Sequence, residues 1–475
     1  MSTRLFCLCA LSVLSLSASA QEVPNHPDVW KSAGTRTATP GQIQALIAVP
    51  GPGVDRNAPL CRALPPVWGK GTPADEAAAQ LVEIGTPAIE SLLPLLDSKE
   101  VWQRRLTAEI LGRIGDRSVV PALLTHLPSE ADESVRISTF ATLSMLRDVR
   151  AEDALIAALH DKNYRVMANA TQGLGRLKTR RAIATLIALL KPPVELTALG
   201  FNNPQGIADT ASAGLRESGS QAFPSLLQIL KRPAVPAEVL VFAIPPAAAA
   251  GDKRVVPVLL RLLKHPADAV RASAAANVMP WKDPRTVPAL AQVLNGPRGS
   301  APGVAGRLLA ADGSPKSLEI LGKAAMSPQE DVRIAVAGTF NALTTRAAVP
   351  LLVKVVQAGE SGLAPAAAVA LGNLEDPAAI PALIAALTSS DIPLRTEATS
   401  ALGRFDTPEV VGALLTRFTD TDPTVRLQAL RVLRKWHDPR ILPALQPLTT
   451  DPDGTVQMQA IQSIRVLQSR LSAAR

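Results

Sequence analysis

The residues that could support chemistry are most concentrated near the end of the chain, where Trp436, His437 and Asp438 stand side by side in RVLRKWHDPRILPAL (431–445). A histidine beside a carboxylate can serve in general acid–base catalysis or hold a metal ion. A histidine in a turn and an aspartate at a helix start also occur for purely structural reasons. The two alternatives are distinguished by whether these residues are unusual for their positions.

Motifs of catalysis are absent from the rest of the sequence. There is no Gly-rich phosphate loop, no G-x-S-x-G elbow, no H-E-x-x-H and no C-x-x-C-H. We therefore expect no catalytic residue, no metal site, no cofactor and no enzymatic activity.

The composition favours an all-α protein. Of the 475 residues, 47% are hydrophobic but only 3% are aromatic, and Ala, Leu and Val dominate. The net charge of +8 is mild for this length, and the basic clusters are not interleaved with aromatic residues. Because single-stranded nucleic acids bind surfaces that combine both, we expect no nucleic-acid partner.

The stretch around Trp436 is one copy of a repeat. ALGRFDTPEVVGALL (401–415) and ALGNLEDPAAIPALI (370–384) have the same skeleton, thirty-one residues apart each time. Twelve anchor residues, each the first core residue of a copy, are predicted to be buried, and so is the leucine twelve residues after each of them. The anchors are Leu81, Leu111, Leu143, Leu174, Leu215, Ala247, Val278, Leu309, Phe340, Leu371, Leu402 and Leu433, and the leucines are Leu93, Leu123, Leu155, Leu186, Leu227, Leu259, Leu290, Leu321, Leu352, Leu383, Leu414 and Leu445.

Five residues after every anchor stands a residue that can cap a helix. An Asp, Ser or Thr side chain there can accept a hydrogen bond from the first N–H groups of a second helix. A second proline often follows a few residues later and predicts either a kink or a short 3₁₀ turn. The predicted caps are Thr86, Asp116, Asp148, Thr179, Ser220, Asp252, Asp283, Ser314, Thr345, Asp376, Thr407 and Asp438.

The repeat register gives each residue of the Trp-His-Asp cluster a structural role, so no catalytic or metal-binding role is needed to explain it. Trp436 takes a core position, His437 takes the turn position that glycine fills in other copies, and Asp438 is the cap. Trp281 and Asp283 recur in the near-copy PWKDPR, with Lys282 in place of the histidine. We therefore expect the cluster to be structural.

The motif D-x-x-V-R-x-x-A, followed by A-L-G and D-P-x-x-V/I-P-A-L, resembles the HEAT-like repeats of phycobilisome lyases. The resemblance covers roughly residues 75 to 470, and among the residues that carry it are Asp422, Val425, Arg426, Ala429 and Leu433. It implies an α-α superhelix, a HEAT-like solenoid of about twelve helix–turn–helix repeats, whose second helices line the concave face.

Arginines recur seven residues before six of the anchors. The resemblance implies Asp–Arg contacts that tie neighbouring repeats, and an anion-binding stripe is the alternative. These residues are Arg104, Arg136, Arg271, Arg333, Arg395 and Arg426.

The resemblance also implies that the chain is a scaffold for a protein or peptide partner. The alternative is an enzyme or an accessory factor such as a chromophore or cofactor lyase. Deoxyhypusine hydroxylase, an enzyme with this fold, binds two irons through His-Glu pairs, and no histidine of this chain is followed by Glu.

One insertion interrupts the register. Ten extra residues lie in KPPVELTALGFNNPQG (191–206), and this segment makes Phe201, Asn202 and Asn203 a candidate binding loop. A tolerated surface loop without a binding role explains the insertion equally well.

The N-terminus has the features of a secretory signal peptide in residues 1–20, with cleavage between Ala20 and Gln21. We therefore expect export to the periplasm or the extracellular space, no membrane span in the mature chain, and Cys61 as its only cysteine. The Pro/Gly-rich segment 21–74 is either an extended tail or a cap on the first repeat of the solenoid, which occupies 75–475. The sequence leaves the oligomeric state open.

Overall fold

The structure is a computed structural model that describes residues 39–48, 73–191 and 204–473. Within these ranges the secondary structure consists of α-helices and 3₁₀ turns, with no strand. The predicted all-α solenoid fold is therefore confirmed. The described residues form two compact units, one of residues 39–48, 73–186 and 204–217 and the other of residues 187–191 and 218–473.

In the first unit, each repeat begins with a long first helix and continues into a shorter second helix. An additional helix, Pro40–Ile47, precedes the repeats, and its Ile43 is buried. The first helices are Pro73–Ile84, Val101–Ile114, Glu133–Leu146, Tyr164–Leu177 and Pro204–Ser218, and the second helices are Ile89–Leu92, Val120–His126, Glu152–Ala157 and Arg180–Ala188.

The second unit has the same organisation, and Phe223–Lys231, the second helix of the fifth repeat, comes first in it. Its last helix, Gly454–Ala473, corresponds to the first helix of a partial thirteenth repeat. The first helices are Ala237–Ala249, Asp268–Val278, Ser300–Asp312, Glu330–Ala337, Leu363–Leu374, Ile392–Leu402 and Pro423–Leu433, and the second helices are Val256–Leu262, Thr286–Leu294, Pro315–Ala325, Val349–Ala358, Ile380–Ala386, Pro408–Leu415 and Ile441–Leu445.

The predicted core is confirmed at nearly every position. All twelve anchor residues are at most 3% exposed. Eleven of the twelve leucines are buried as well, among them Leu290, Leu321 and Leu352 at 0% exposed. Since a fully buried leucine contributes about 2 kcal/mol of hydrophobic stabilisation, this double row holds each repeat to its neighbours.

The first repeat departs from the predicted register by one residue. Leu93 is only half-buried, and its neighbour Leu92 takes the core position instead. Thr86 does not cap, because the 3₁₀ turn Thr86–Ala88 begins one residue early, with Gly85 at the cap position and a positive φ of 74°. The turn Gly219–Gln221 is likewise early, and Ser220 lies inside it without a capping bond.

The other ten predicted caps are confirmed. Asp116 accepts a hydrogen bond from the backbone N–H of Ser118 at 2.8 Å, and Asp376 accepts one from Ala378 at 2.9 Å. In five repeats a 3₁₀ turn follows the cap, as at Pro377–Ala379, and in four of these the second helix begins at the residue before the second proline. The proline thus occupies the first helical turn, where its missing N–H costs no hydrogen bond.

Within each unit, the first helices approach one another more closely than the second helices do. The glycine of the A-L-G motif permits this, because a Cβ on Gly175 would lie 2.2 Å from the carbonyl oxygen of Gly214 and one on Gly372 would lie 2.9 Å from Cα of Ala401. That the second helices line the concave face stays a prediction.

Candidate functional site

The Trp436-His437-Asp438 cluster does not form a catalytic arrangement. His437 is exposed, and the Asp438 carboxylate instead accepts hydrogen bonds from the backbone N–H of Arg440 at 2.9 Å and from its Nη2 at 2.7 Å. Trp436 is half-buried, as is Trp281, so the expectation of a core tryptophan is only partly correct. This position lies at the edge of the core, where a large ring covers the turn and keeps one side in water.

The electrostatics of Asp438 also argue against a role as a base. The Arg440 guanidinium holds the pKa of Asp438 at about 2. A carboxylate that binds its own neighbouring arginine so strongly has little affinity for a proton at neutral pH.

The Asp438–Arg440 pair is one of a series that the sequence prediction missed. In the same Asp-x-Arg spacing, Arg285 donates from Nε and Nη2 to Asp283, both at 2.9 Å. The aspartate therefore accepts hydrogen bonds from both the backbone N–H and the side chain of the arginine two residues later. These bonds fix the turn into the second helix. The spacing was visible in the sequence, and the remaining pairs are Asp148 with Arg150 and Asp252 with Arg254.

The recurring arginines of the first helices are confirmed as a structural ladder. Arg426 donates to the two carboxylate oxygens of Asp451 at 2.8 and 2.6 Å, and Arg104 binds Glu130 in the same two-pronged way at 2.7 and 3.0 Å. A guanidinium occupied in this manner is not available to an external anion, which removes the anion-binding alternative. Arg271 differs, because its carboxylate partner is Asp268 of its own helix, at 2.9 Å.

Several predicted site residues lie outside the described residues. These are Ala20 and Gln21 at the expected cleavage site, Cys61, and the candidate binding loop Phe201, Asn202 and Asn203. Among the residues that the structure does describe, no group of His, Cys, Asp or Glu is arranged to hold a metal ion. None of the described helices is long and apolar enough to cross a membrane.

A different candidate site lies on the first helices of repeats six to ten. At the positions six, five and two residues before each anchor, Ala276, Ile334 and Gly338 are exposed, eleven of the fifteen residues are half-buried, and Pro365 is buried. These fifteen residues, the first-helix strip, are Val241, Phe242, Pro245, Ala272, Ser273, Ala276, Gly303, Val304, Arg307, Ile334, Ala335, Gly338, Pro365, Ala366 and Val369.

The first-helix strip is almost free of charge, and Ile334 at its middle is 58% exposed. The same positions of repeats eleven and twelve include Glu397 and Arg431, so the uncharged surface ends there. An exposed apolar side chain surrounded by half-buried, uncharged residues is a candidate for an interaction site, because soluble proteins usually interrupt such surface with polar groups.

Arg307 is the only charged residue of the strip. It forms no hydrogen bond or ion pair with any residue that the structure describes. Its Nη1 lies 3.6 Å from the position that a Cβ on Gly303 would occupy, so the guanidinium lies along the helix surface over a residue without a side chain. The arrangement offers one cationic donor on an otherwise apolar surface.

Sequence reasoning missed the first-helix strip for an identifiable reason. The low charge of these positions is visible from Val241 to Val369 once the anchors are aligned. Which of these positions are exposed, Ile334 above all, required the structure.

Comparison with known protein families shows that residues 129–198, 358–422 and 411–474 match the family of HEAT repeats. In these regions the chain is similar to HEAT repeats. No curated protein matches the sequence at a significant level. Among solved structures, human deoxyhypusine hydroxylase in complex with glycerol matches 60% of this chain and 95% of its own, with 19% identity and a TM-score of 0.23. A likeness this weak carries no argument about function.

Proposed function

We propose that this protein is a non-enzymatic, exported scaffold that binds a segment of a partner protein on its first-helix strip. The observation that supports this most directly is the uncharged, partly exposed surface of repeats six to ten, with exposed Ile334 at its middle and Arg307 as its single unpaired cation. Helical repeat arrays commonly present such extended surfaces to other proteins.

The strip suggests the chemistry of the partner segment. Covering Arg307 without a counter-charge would cost several kcal/mol, so the segment carries a carboxylate at this point and apolar side chains on either side. Five first helices at roughly 10 Å spacing give a strip of about 40 Å, which suits one long helix or an extended segment of about a dozen residues.

Two further parts of the proposal rest on the sequence. The motif around Asp422, Val425 and Arg426 supports repeats of the phycobilisome-lyase HEAT-like type, although it does not by itself imply lyase activity. Residues 1–20 support export to the periplasm or the extracellular space. The solenoid and its possible N-terminal cap would then act in that compartment.

A site-specific crosslinking experiment tests the binding surface. A photoreactive amino acid at Ile334 should crosslink one stoichiometric protein from the exported fraction. The same photoreactive amino acid placed at Ala385, which is exposed on a second helix, should not crosslink that protein. Crosslinking to the same protein from both positions, or from Ala385 alone, would place the interaction elsewhere.

A pair of variants then tests the chemistry. Ile334→Glu should abolish capture of the partner, because it buries a new carboxylate in an apolar contact. Ala385→Glu is the control for added charge, and both variants should melt at the temperature of the wild type. A purified chain that is coloured or metal-loaded would support the accessory-factor alternative instead.

A further inference from the structure

The surplus positive charge of this protein is concentrated in one part of the chain. Residues 252–359 contain fourteen Lys and Arg against seven Asp and Glu, a surplus of seven in a chain whose net charge is +8. This part lies entirely within the second unit.

Much of this charge lies on the second helices of repeats six to nine. At least one cation in each repeat follows closely after the cap, as at Arg254, Arg285, Lys316 and Arg346, and in three of the four repeats further cations lie about two helical turns later. All are exposed, and we call them the cation strip: Lys253, Arg254, Arg261, Lys264, Arg285, Lys316, Lys323, Arg346 and Lys354. With roughly 10 Å between layers the strip is about 30 Å long, and the two rows stand about 10 Å apart.

The lysines of the cation strip are largely free. Lys253, Lys264, Lys316 and Lys354 form no hydrogen bond or ion pair with any residue that the structure describes. Within the four second-helix segments, the carboxylates are those of Asp252, Asp283 and Glu319, and each of them already binds a neighbouring cation of the strip.

Apolar and aromatic groups are nearly absent from this surface. The segments 252–265, 283–296, 314–327 and 345–359 contain no Phe, Trp or Tyr, and half-buried His265 is their one imidazole. Met326, at the end of its helix, is the large apolar side chain that is exposed among them. The surface therefore offers little on which a series of bases or sugar rings could stack, and little that could insert into a bilayer.

From these observations we infer that the cation strip binds a linear polymer of phosphate groups, recognised by its charge alone. Ammonium groups act as compact point charges toward phosphate, whereas the strip's arginines at Asp252 and Asp283 are already engaged. A chain molecule lying along the stack meets one or two cations at every repeat. This surface is separate from the first-helix strip and does not depend on the function proposed for it.

Fluorescence anisotropy with a labelled inorganic polyphosphate chain tests the inference on the full-length protein. The wild type should bind, and the logarithm of its affinity should fall linearly with the logarithm of the salt concentration. Lys316→Glu combined with Lys354→Glu should weaken binding about tenfold or more and reduce that slope by roughly one to two units. Lys162→Glu, an exposed lysine of the first unit, is the control and should leave binding unchanged.

Three results would overturn the inference. These are no binding of polyphosphate at low salt, an equal loss in the Lys162→Glu control, and tighter binding to duplex DNA or to vesicles rich in anionic lipid than to polyphosphate. Since the substituted lysines are exposed and unpaired, the variants should keep the wild-type circular dichroism spectrum, which separates lost binding from lost folding.

Discussion

The guanidinium of Arg395 and the carboxylate of Asp420 form two parallel hydrogen bonds, Nε to Oδ2 at 3.0 Å and Nη2 to Oδ1 at 2.9 Å, across twenty-five residues of sequence. Both side chains are nearly inaccessible to solvent. The pair joins the start of a first helix to the loop that leads into the next repeat. Its loss would leave a buried charge without a partner.

Arg395→Ala should therefore lower the free energy of unfolding by about 3 kcal/mol or more. Arg404→Ala is the matched control, because Arg404 pairs with Glu375 at 3.2 Å and both side chains are more than half exposed. The control should cost about 0.5 kcal/mol or less. Denaturant titration followed by circular dichroism measures both, and similar losses in the two variants would contradict the role of the ladder.

The register of the first repeat can be tested with two adjacent leucines. Leu92→Ala removes a side chain that is 1% exposed and should cost about 2 to 5 kcal/mol. Leu93→Ala removes a half-buried side chain and should cost less than half as much. A larger effect at Leu93, measured by denaturant titration, would restore the originally predicted register.

The close approach of first helices depends on Gly175. Gly175→Ala should destabilise the first unit by about 1 to 3 kcal/mol, because the new methyl group would overlap backbone atoms of Gly214 that cannot move aside as a side chain can. Gly454→Ala is the control, since nothing lies within 4 Å of a Cβ at that position. Thermal melts of both variants provide the comparison, and a neutral Gly175→Ala would contradict the close packing.

The Asp-x-Arg turns should lose their stabilising contribution at acidic pH. The Arg150 guanidinium lowers the pKa of Asp148 from 3.8 to about 2. A carboxyl whose pKa is lower in the folded state stabilises the fold above its unfolded pKa, and this contribution is lost as the pH falls from about 4 to 2. Carboxyl carbon NMR should find the Asp148 midpoint near pH 2 in the wild type and closer to 4 in Arg150→Gln. An unchanged midpoint would mean that the arginine is not its cause.

Periodicity was sufficient to predict the fold and its core, because stacking imposes the same burial pattern on every repeat. Leu290 and Leu383 are buried where the thirty-one-residue spacing places them. The shift at Thr86 and Leu93 was not predictable, since a turn that begins one residue early leaves the spacing of apolar residues almost unchanged. Glycine at position 85 does not signal it either, because Gly115 and Gly251 also adopt a positive φ in repeats whose caps are in register.

The candidate sites depend more strongly on three-dimensional arrangement. The lysines of the cation strip are scattered through the sequence, and their alignment follows from the stacking of second helices. Neither Ile334 nor Arg307 stands out in the sequence. They become part of a candidate site because the equivalent positions of neighbouring repeats, about thirty residues away, carry no charge. Sequence alone identified the ladder arginines through a family resemblance, and it could not say which carboxylate each of them would bind.

Asp420 has one further consequence for the array as a whole. Its carboxylate binds Arg395 of its own repeat, while its backbone carbonyl accepts a hydrogen bond from Nη1 of Arg426 in the next repeat at 2.8 Å. Successive pairs of the ladder thus share a residue, and a fragment that ends between Arg395 and Asp420 leaves the Arg395 guanidinium without its carboxylate. Shortened versions of this protein should therefore end after the aspartate of a pair, and a fragment that ends before it should begin to unfold at that end.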